Sequence, residues 1–225
     1  MTGWAEYTLA LALFAASHFV PRLGGLRERL IGAVGRRVYF AAYGVISLAL
    51  LVWVIAAAGR APYVELWPQL PWTRWVPNLA MPVALVVVAC GIGAAQPFTL
   101  GGGKTFDPAQ PGFAAVSRHP LFLALALWAG AHLFPNGDLA HVILFGSFAA
   151  MALAAILAFD AKARRAARAD IFAHTALLSL KPMTCSAWRR ANLRRVLIRS
   201  AMGLLVWVAL LHLHGLVIGV SPFPV

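Results

Sequence analysis

The chain has 225 residues, of which 61% are hydrophobic and only 12% charged, and its mean hydropathy is +0.79. Seven Asp and Glu residues are too few to cover the surface of a water-soluble globule of this length, so a soluble globular domain is excluded. The formal net charge of +12 raises nucleic acid as a partner, but the basic residues collect between apolar runs, which points to a lipid bilayer and not to nucleic acid.

Six apolar segments approach the length of about 20 residues that a membrane helix needs. The first runs from Trp4 to Val20, the second from Val38 to Ala58 and the third from Val76 to Ala95. The fourth runs from Pro120 to Phe134, the fifth from Leu139 to Phe159 and the sixth from Ser200 to Val220. The first lacks a basic n-region and a small-residue cleavage site, so it reads as a span and not as a cleavable leader. The expected fold is an all-α polytopic membrane helix bundle of about six transmembrane helices, a single domain over residues 1–225.

Lys and Arg set the expected orientation. The first loop carries Arg22, Arg27, Arg29, Arg36 and Arg37, the third Lys104 and Arg118, and the fifth ten more from Lys162 to Arg199. These three loops hold 17 of the 19 basic residues. The second loop has only Arg60 and Arg74, and the fourth, Pro135–Asp138, has none. With six spans, that alternation expects a multi-pass protein of the bacterial inner membrane with both termini periplasmic.

The loops carry further signals. In the second, Trp67, Trp72 and Trp75 read as an aromatic belt at the outer interface. In the third, GGGKT at Gly101–Thr105 imitates a phosphate-binding loop, but Phe98 stands where that pattern needs its first glycine, and nucleotide binding is rejected. The fifth, over residues 160–199, holds two stretches, DAKARRAARADIFAHTALLSL and WRRANLRRVLIR, that each read as basic amphipathic helix lying on the anionic inner leaflet or as plain topological anchors. Cys90 and Cys185 are far apart and give no disulfide framework.

The fourth segment, SRHPLFLALALWAGAHLFPNGD over Ser117–Asp138, carries the densest chemistry. Pro120 suits a first helical position and Ser117 can cap it. His119 then sits beside the positive end of the helix, which favours a neutral imidazole, the form that binds a metal. The alternative is that Arg118 and His119 only mark the interface. His18, His132, His212 and His214 lie within apolar segments, where ionisable groups are costly and face a bundle interior. No Ser-His-Asp arrangement and no HExxH motif is visible. Haem is the candidate cofactor, because it needs one or two imidazoles, an apolar slot and basic residues for the propionates. Phe14 shares a helix face with His18, and Trp128 with His132, as such a slot or an ordinary helix contact would have it. Depth along the spans pairs His18 with His119, or His132 with His212 or His214.

The ordered motifs SHFVPRLGGLRERLIGAVGRRVYFAAYGVISL, GRAPYVELW and RHPLFLALALWAGAHLFPNGD resemble the NnrU family of bacterial inner-membrane proteins, over Phe14 to Phe159. The basic loop over 160–199 and the last span over 200–220 are less diagnostic. The resemblance implies an association with denitrification, around nitrite and nitric oxide reduction. The same motifs are similar to those of 15-cis-zeta-carotene isomerase, a membrane enzyme using haem b. That similarity implies His18 and His132 as haem-iron ligands, with His119 and Arg118 of the shared triplet in the cofactor site. It implies isomerase-like or redox-related chemistry on a small or lipophilic substrate. Ala129 stands where the isomerase has a cysteine. A non-enzymatic accessory protein for the denitrification reductases is the competing expectation. A third group, the isoprenylcysteine carboxyl methyltransferases, shares the RHP triplet and uses S-adenosylmethionine. Here Leu121–Ala124 replace its Tyr and Gly, and its acidic pair is reduced to Asp160 followed by Ala161.

Overall fold

All six apolar segments are helical in the computed structural model, which describes residues 3–103 and 105–223. Lys104, in the Gly101–Thr105 stretch, lies outside the described residues. No strand forms among the described residues, only one isolated antiparallel bridge between Glu65 and Asp138. The chain divides into two compact units, Met1–Pro68 with Gly137–Leu144, and Gln69–Asn136 with Phe145–Val225.

In the first unit, α1 (Gly3–Phe19) ends just before Pro21, and the chain then turns at Gly24 and Gly25, whose φ values of 56° and 71° suit glycine. The short α2 (Leu26–Val34) leaves at 83° to the preceding segment. It places Arg27 and Arg29 among Leu26, Leu30 and Val34, so part of the first basic loop is helix. α3 (Arg36–Arg60) packs on α1. Tyr7, Ala10 and Phe14 of α1 and Val54, Ala57 and Ala58 of α3 are buried. The Tyr7 hydroxyl donates to Ala140 O at 2.8 Å. Leu66 N donates to Gly137 O at 2.8 Å, and any Cβ on Gly137 would collide with Trp67 O.

In the second unit, α4 (Trp75–Gly91) packs against both α5 (Pro120–Leu133) and α9 (Ser186–Val217). Small residues set those approaches, as is usual where apolar helices associate without a hydrophobic driving force. A Cβ on Gly91 would collide with the Pro120 ring, and one on Gly203 would lie 2.7 Å from Leu85 O. The long α6 (Leu139–Arg165) gives its opening residues to the first unit and the rest to the second. Two short helices, α7 (Ala169–His174) and α8 (Lys181–Thr184), lead to α9.

Among the described residues, four helical segments are long and apolar enough to cross a membrane: Arg36–Arg60, Pro71–Gly91, Leu139–Arg165 and Ser186–Val217. The bent pair Gly3–Arg22 and Leu26–Val34 makes a fifth if it is one broken span. α5 has 14 residues, or roughly 21 Å, short of the ~30 Å hydrocarbon core. The expected six spans therefore become six apolar helices of which four or five meet the length. Two boundaries also move. The basic loop is not one amphipathic helix: α6 runs on to Arg165, the chain breaks at Ala167 (φ 54°), and Thr175–Leu180 lies outside the helices. The helix of the last span starts not at Ser200 but at Ser186, because Ala, Leu and Arg are all good helix formers and nothing between interrupts them.

Candidate functional site

Arg118, His119 and Asp160 form a buried cluster in the second unit. His119 stands at the N-terminal boundary of α5, where its carbonyl accepts from Leu123 N. Asp160 comes from α6, 41 residues on. Arg118 grips Asp160 with both prongs, Nε to Oδ1 at 2.9 Å and Nη2 to Oδ2 at 2.8 Å. Such two-point pairs are among the stronger charge-assisted contacts. His119 Nε2 donates to Asp160 Oδ1 at 2.8 Å, so its Nδ1 is the acceptor for the Thr99 hydroxyl at 3.2 Å. The His119 side chain is fully buried. That desolvation holds its pKa below the ordinary value, although the Asp160 contact pulls the other way.

The surroundings close the cluster. Gln96, also fully buried, donates to Phe98 O at 3.1 Å and Arg118 O at 3.0 Å and accepts from Phe98 N. Arg118 N donates to Ala176 O at 2.6 Å and Ser179 N to Val116 O at 2.9 Å, so the 175–180 segment is laced to the RHP turn. The Arg118 guanidinium lies 4.8 Å from the Phe172 ring centre. Ser117 does not cap α5, as its position suggested. Its hydroxyl donates instead to Leu177 O at 3.0 Å, and the cap position falls to His119.

Asp160, His119 and Thr99 stand in the order of a hydrolytic relay, an arrangement with no visible signature in the sequence. The geometry makes it a clasp. Thr99 is buried, and Arg118 already neutralises the carboxylate that would polarise the imidazole. A cationic cosubstrate would meet the same neutralised carboxylate, which removes the main attraction of the methyltransferase reading. A signal for Asp160 itself is present in the sequence: it is the one carboxylate between Asp138 and Asp170, set in an apolar helix, and such a group needs a partner.

His18 and His132 are built alike. His18, in α1 of the first unit, donates from Nδ1 to Phe14 O at 2.9 Å, with Ser17 Oγ at 3.0 Å from the same nitrogen. Its ring centre lies 4.5 Å from that of Phe14 and 5.9 Å from that of Tyr43. His132, in α5 of the second unit, donates from Nδ1 to Trp128 O at 2.8 Å. Its ring lies 5.6 Å from Trp128 and 5.2 Å from Phe145. In both, the backbone carbonyl one turn earlier takes the Nδ1 proton and leaves Nε2 with the lone pair. That is a tautomer whose Nε2 could bind a metal.

The other histidines are less enclosed. His212 and His214 also donate from Nδ1 to backbone, to Val208 O and Val220 O. His141 pairs with Asp138 at 2.8 Å in the first unit, and His174 is exposed. The structure thus unites Arg118 and His119. Among the described residues, no three His, Cys, Asp or Glu side chains gather as a metal cage, so a three-histidine zinc site is not formed by them.

A family model described as NnrU protein matches residues 6–222. The match runs through the basic segment and α9, beyond the stretch whose motifs carried the resemblance. No curated protein and no solved structure matches the chain. With nearly its whole length covered, this chain belongs to the NnrU family.

Proposed function

We propose that this protein is a haem-b-binding membrane protein with His18 and His132 as the iron ligands. The observation that carries the reading is the paired Nδ1-to-carbonyl bonds at 2.9 and 2.8 Å, which leave Nε2 of each ring to bind iron. Backbone carbonyls fix ligand histidines in this way at metal sites. Aromatic rings beside each histidine supply the apolar wall that haem needs. Haem, when bound, supplies an iron centre for isomerase-like or redox-related chemistry on a small or lipophilic substrate. The chain's own part is to orient each imidazole beside its own rings, Tyr43 for His18 and Trp128 with Phe145 for His132. Arg118 and His119 act at one remove, because Asp160 occupies them.

The protein is purified in detergent after expression with haem precursor, and its spectrum is taken before and after dithionite with a pyridine haemochrome assay. The reading expects a Soret band near one haem per chain, lost or shifted in His18→Ala and in His132→Ala. Full haem content in both variants would remove this ligand pair. Loss in His132→Ala and His214→Ala alone would move the second ligand to His214.

A non-enzymatic accessory role beside the nitrite and nitric oxide reductases is the second reading. It is favoured by the self-satisfied Arg118–His119–Asp160 cluster, which offers no reactive group. A colourless protein that co-purifies with a reductase would support it. On either reading we place the protein in the bacterial inner membrane, with its basic segments cytoplasmic and both termini periplasmic.

A further inference from the structure

An open apolar groove of about 330 Å³ runs along the outside of the α4–α9 contact. Its walls are Val83, Val86 and Cys90 of α4 and Val196, Ser200 and Leu204 of α9. The α9 residues recur every four positions, so they form one stripe along the helix. Between Val83 and Cys90 the groove covers about 10 Å of helix axis. Its two polar side chains satisfy each other, Cys90 Sγ lying 3.7 Å from Ser200 Oγ. Nothing on the walls asks for a polar ligand. The shape and lining fit a hydrocarbon chain.

One end of the groove is different. Leu180 and Met183, flanking Lys181, close it from the loop before α9. Arg195 and Arg199 immediately precede the wall residues Val196 and Ser200. Arg199 is pinned there, because Nη1 donates to Cys90 O at 3.1 Å and Ile92 O at 2.7 Å. This use of Nη1 satisfies carbonyls at the C-terminus of α4 and leaves Nη2 and Nε outside those two bonds. Lys181 and Arg195 are exposed. Opposing charge is sparse among the elements that line the groove: α4 has no Asp or Glu, none follows Asp170, and the loop that supplies Phe113 and Val116 carries only Asp107, six residues before Phe113. A hydrocarbon slot with three cations beside one end is complementary to one class of molecule.

We propose that this groove is a binding site for an anionic phospholipid, one acyl chain lying between α4 and α9 and the phosphate held at Lys181, Arg195 and Arg199. The site is separate from the histidines proposed for haem, and its test does not depend on haem content. The position also suits the protein, since the basic stretch of α9 is the part expected at the anionic leaflet.

The full-length protein is reconstituted in phosphatidylcholine vesicles with a trace of phosphatidylglycerol or phosphatidylcholine carrying a photoactivatable acyl chain. Cross-linked peptides are then mapped by mass spectrometry. Phosphatidylglycerol is expected to label the α4 and Val196–Leu204 peptides well above phosphatidylcholine. Each cation removed lowers that excess about fivefold. Arg199→Gln tests the pinned cation. Lys181→Gln with Arg195→Gln keeps the test sound if Arg199→Gln disturbs packing, since both residues are exposed. Equal labelling by the two lipids, protection of the groove by a second copy of the chain, or an excess unchanged in the variants would each overturn the proposal.

Discussion

The imidazole of His119 stands 2.8 Å from a carboxylate oxygen of Asp160, joining the turn before α5 to the cytoplasm-directed end of α6 as we orient the chain. Arg118 holds the same carboxylate, so one acid serves two bases. Removing Asp160 strands both. We expect Asp160→Ala to cost about 3–5 kcal/mol, the range for breaking a buried pair from one side. Thermal unfolding in detergent measures it. The double variant Arg118→Met with Asp160→Leu should recover part of the loss, because an apolar replacement leaves no uncompensated guanidinium. A single variant as stable as the parent would mean that the cluster holds nothing together.

That cluster also shows how much is legible without coordinates. Hydrophobic runs locate six helices, because burial in lipid demands long apolar helices and little else. The RHP triplet draws attention to Arg118 and His119. Their partner stays hidden, since contact between residues 119 and 160 is made by folding and leaves no local spacing. The bend after Phe19 is legible in Pro21, Gly24 and Gly25, but the same residues suit a plain loop, and α2 is not separable from one. The aromatic face of His132 is legible at Trp128, one turn away, whereas Phe145 comes from another helix and is not.

Acid should weaken the fold through His119. Burial lowers its pKa from 6.5 in the folded state, the nearby Arg118 charge adds to that, and Asp160 and Thr99 are its polar partners. A base with a depressed folded pKa binds more protons when unfolded. Its contribution to stability is therefore complete above about pH 6.5. It is lost as pH falls below that value toward the folded pKa. Unfolding midpoints measured from pH 8 down to pH 5 should fall in the parent and fall less steeply in His119→Gln. Parallel slopes would place the acid sensitivity elsewhere.

Two glycines of α9 make opposite predictions. Gly203 is buried, and a Cβ there would lie 2.7 Å from Leu85 O and 3.0 Å from Val86 Cα, both of α4. A backbone cannot yield as a flexible side chain can. Gly203→Val should force α4 and α9 apart and cost about 1–3 kcal/mol or more. Gly215 has nothing within 4 Å of the position a methyl group would take. Gly215→Ala should be neutral or gain up to ~1 kcal/mol from helix propensity. Thermal shift of the two variants side by side checks the α4–α9 approach, and equal losses in both would contradict it.

Cys185 reports on orientation. It is exposed at the N-terminal boundary of α9, while Cys90 is buried. The N–H groups of Trp188 and Ala187 face its sulfur and hold the thiol below its ordinary range, helped by Arg190 and Arg189. More thiolate at neutral pH means faster alkylation. If the basic segments face the cytoplasm, a membrane-impermeant maleimide should spare Cys185 in intact spheroplasts and label it rapidly once they are permeabilised. A Cys90→Ser background makes the signal that of one thiol. The result does not depend on whether the short α5 crosses, because it reads the side of residue 185 directly. A second reading from a cysteine placed at Asn136, in a Cys185→Ser chain, then decides whether α6, the helix of spanning length between the two positions, crosses. Labelling of the two on opposite sides means that an odd number of crossings separates them. Rapid labelling of Cys185 in intact spheroplasts would turn the whole orientation over, and with it the leaflet offered to the α4–α9 groove.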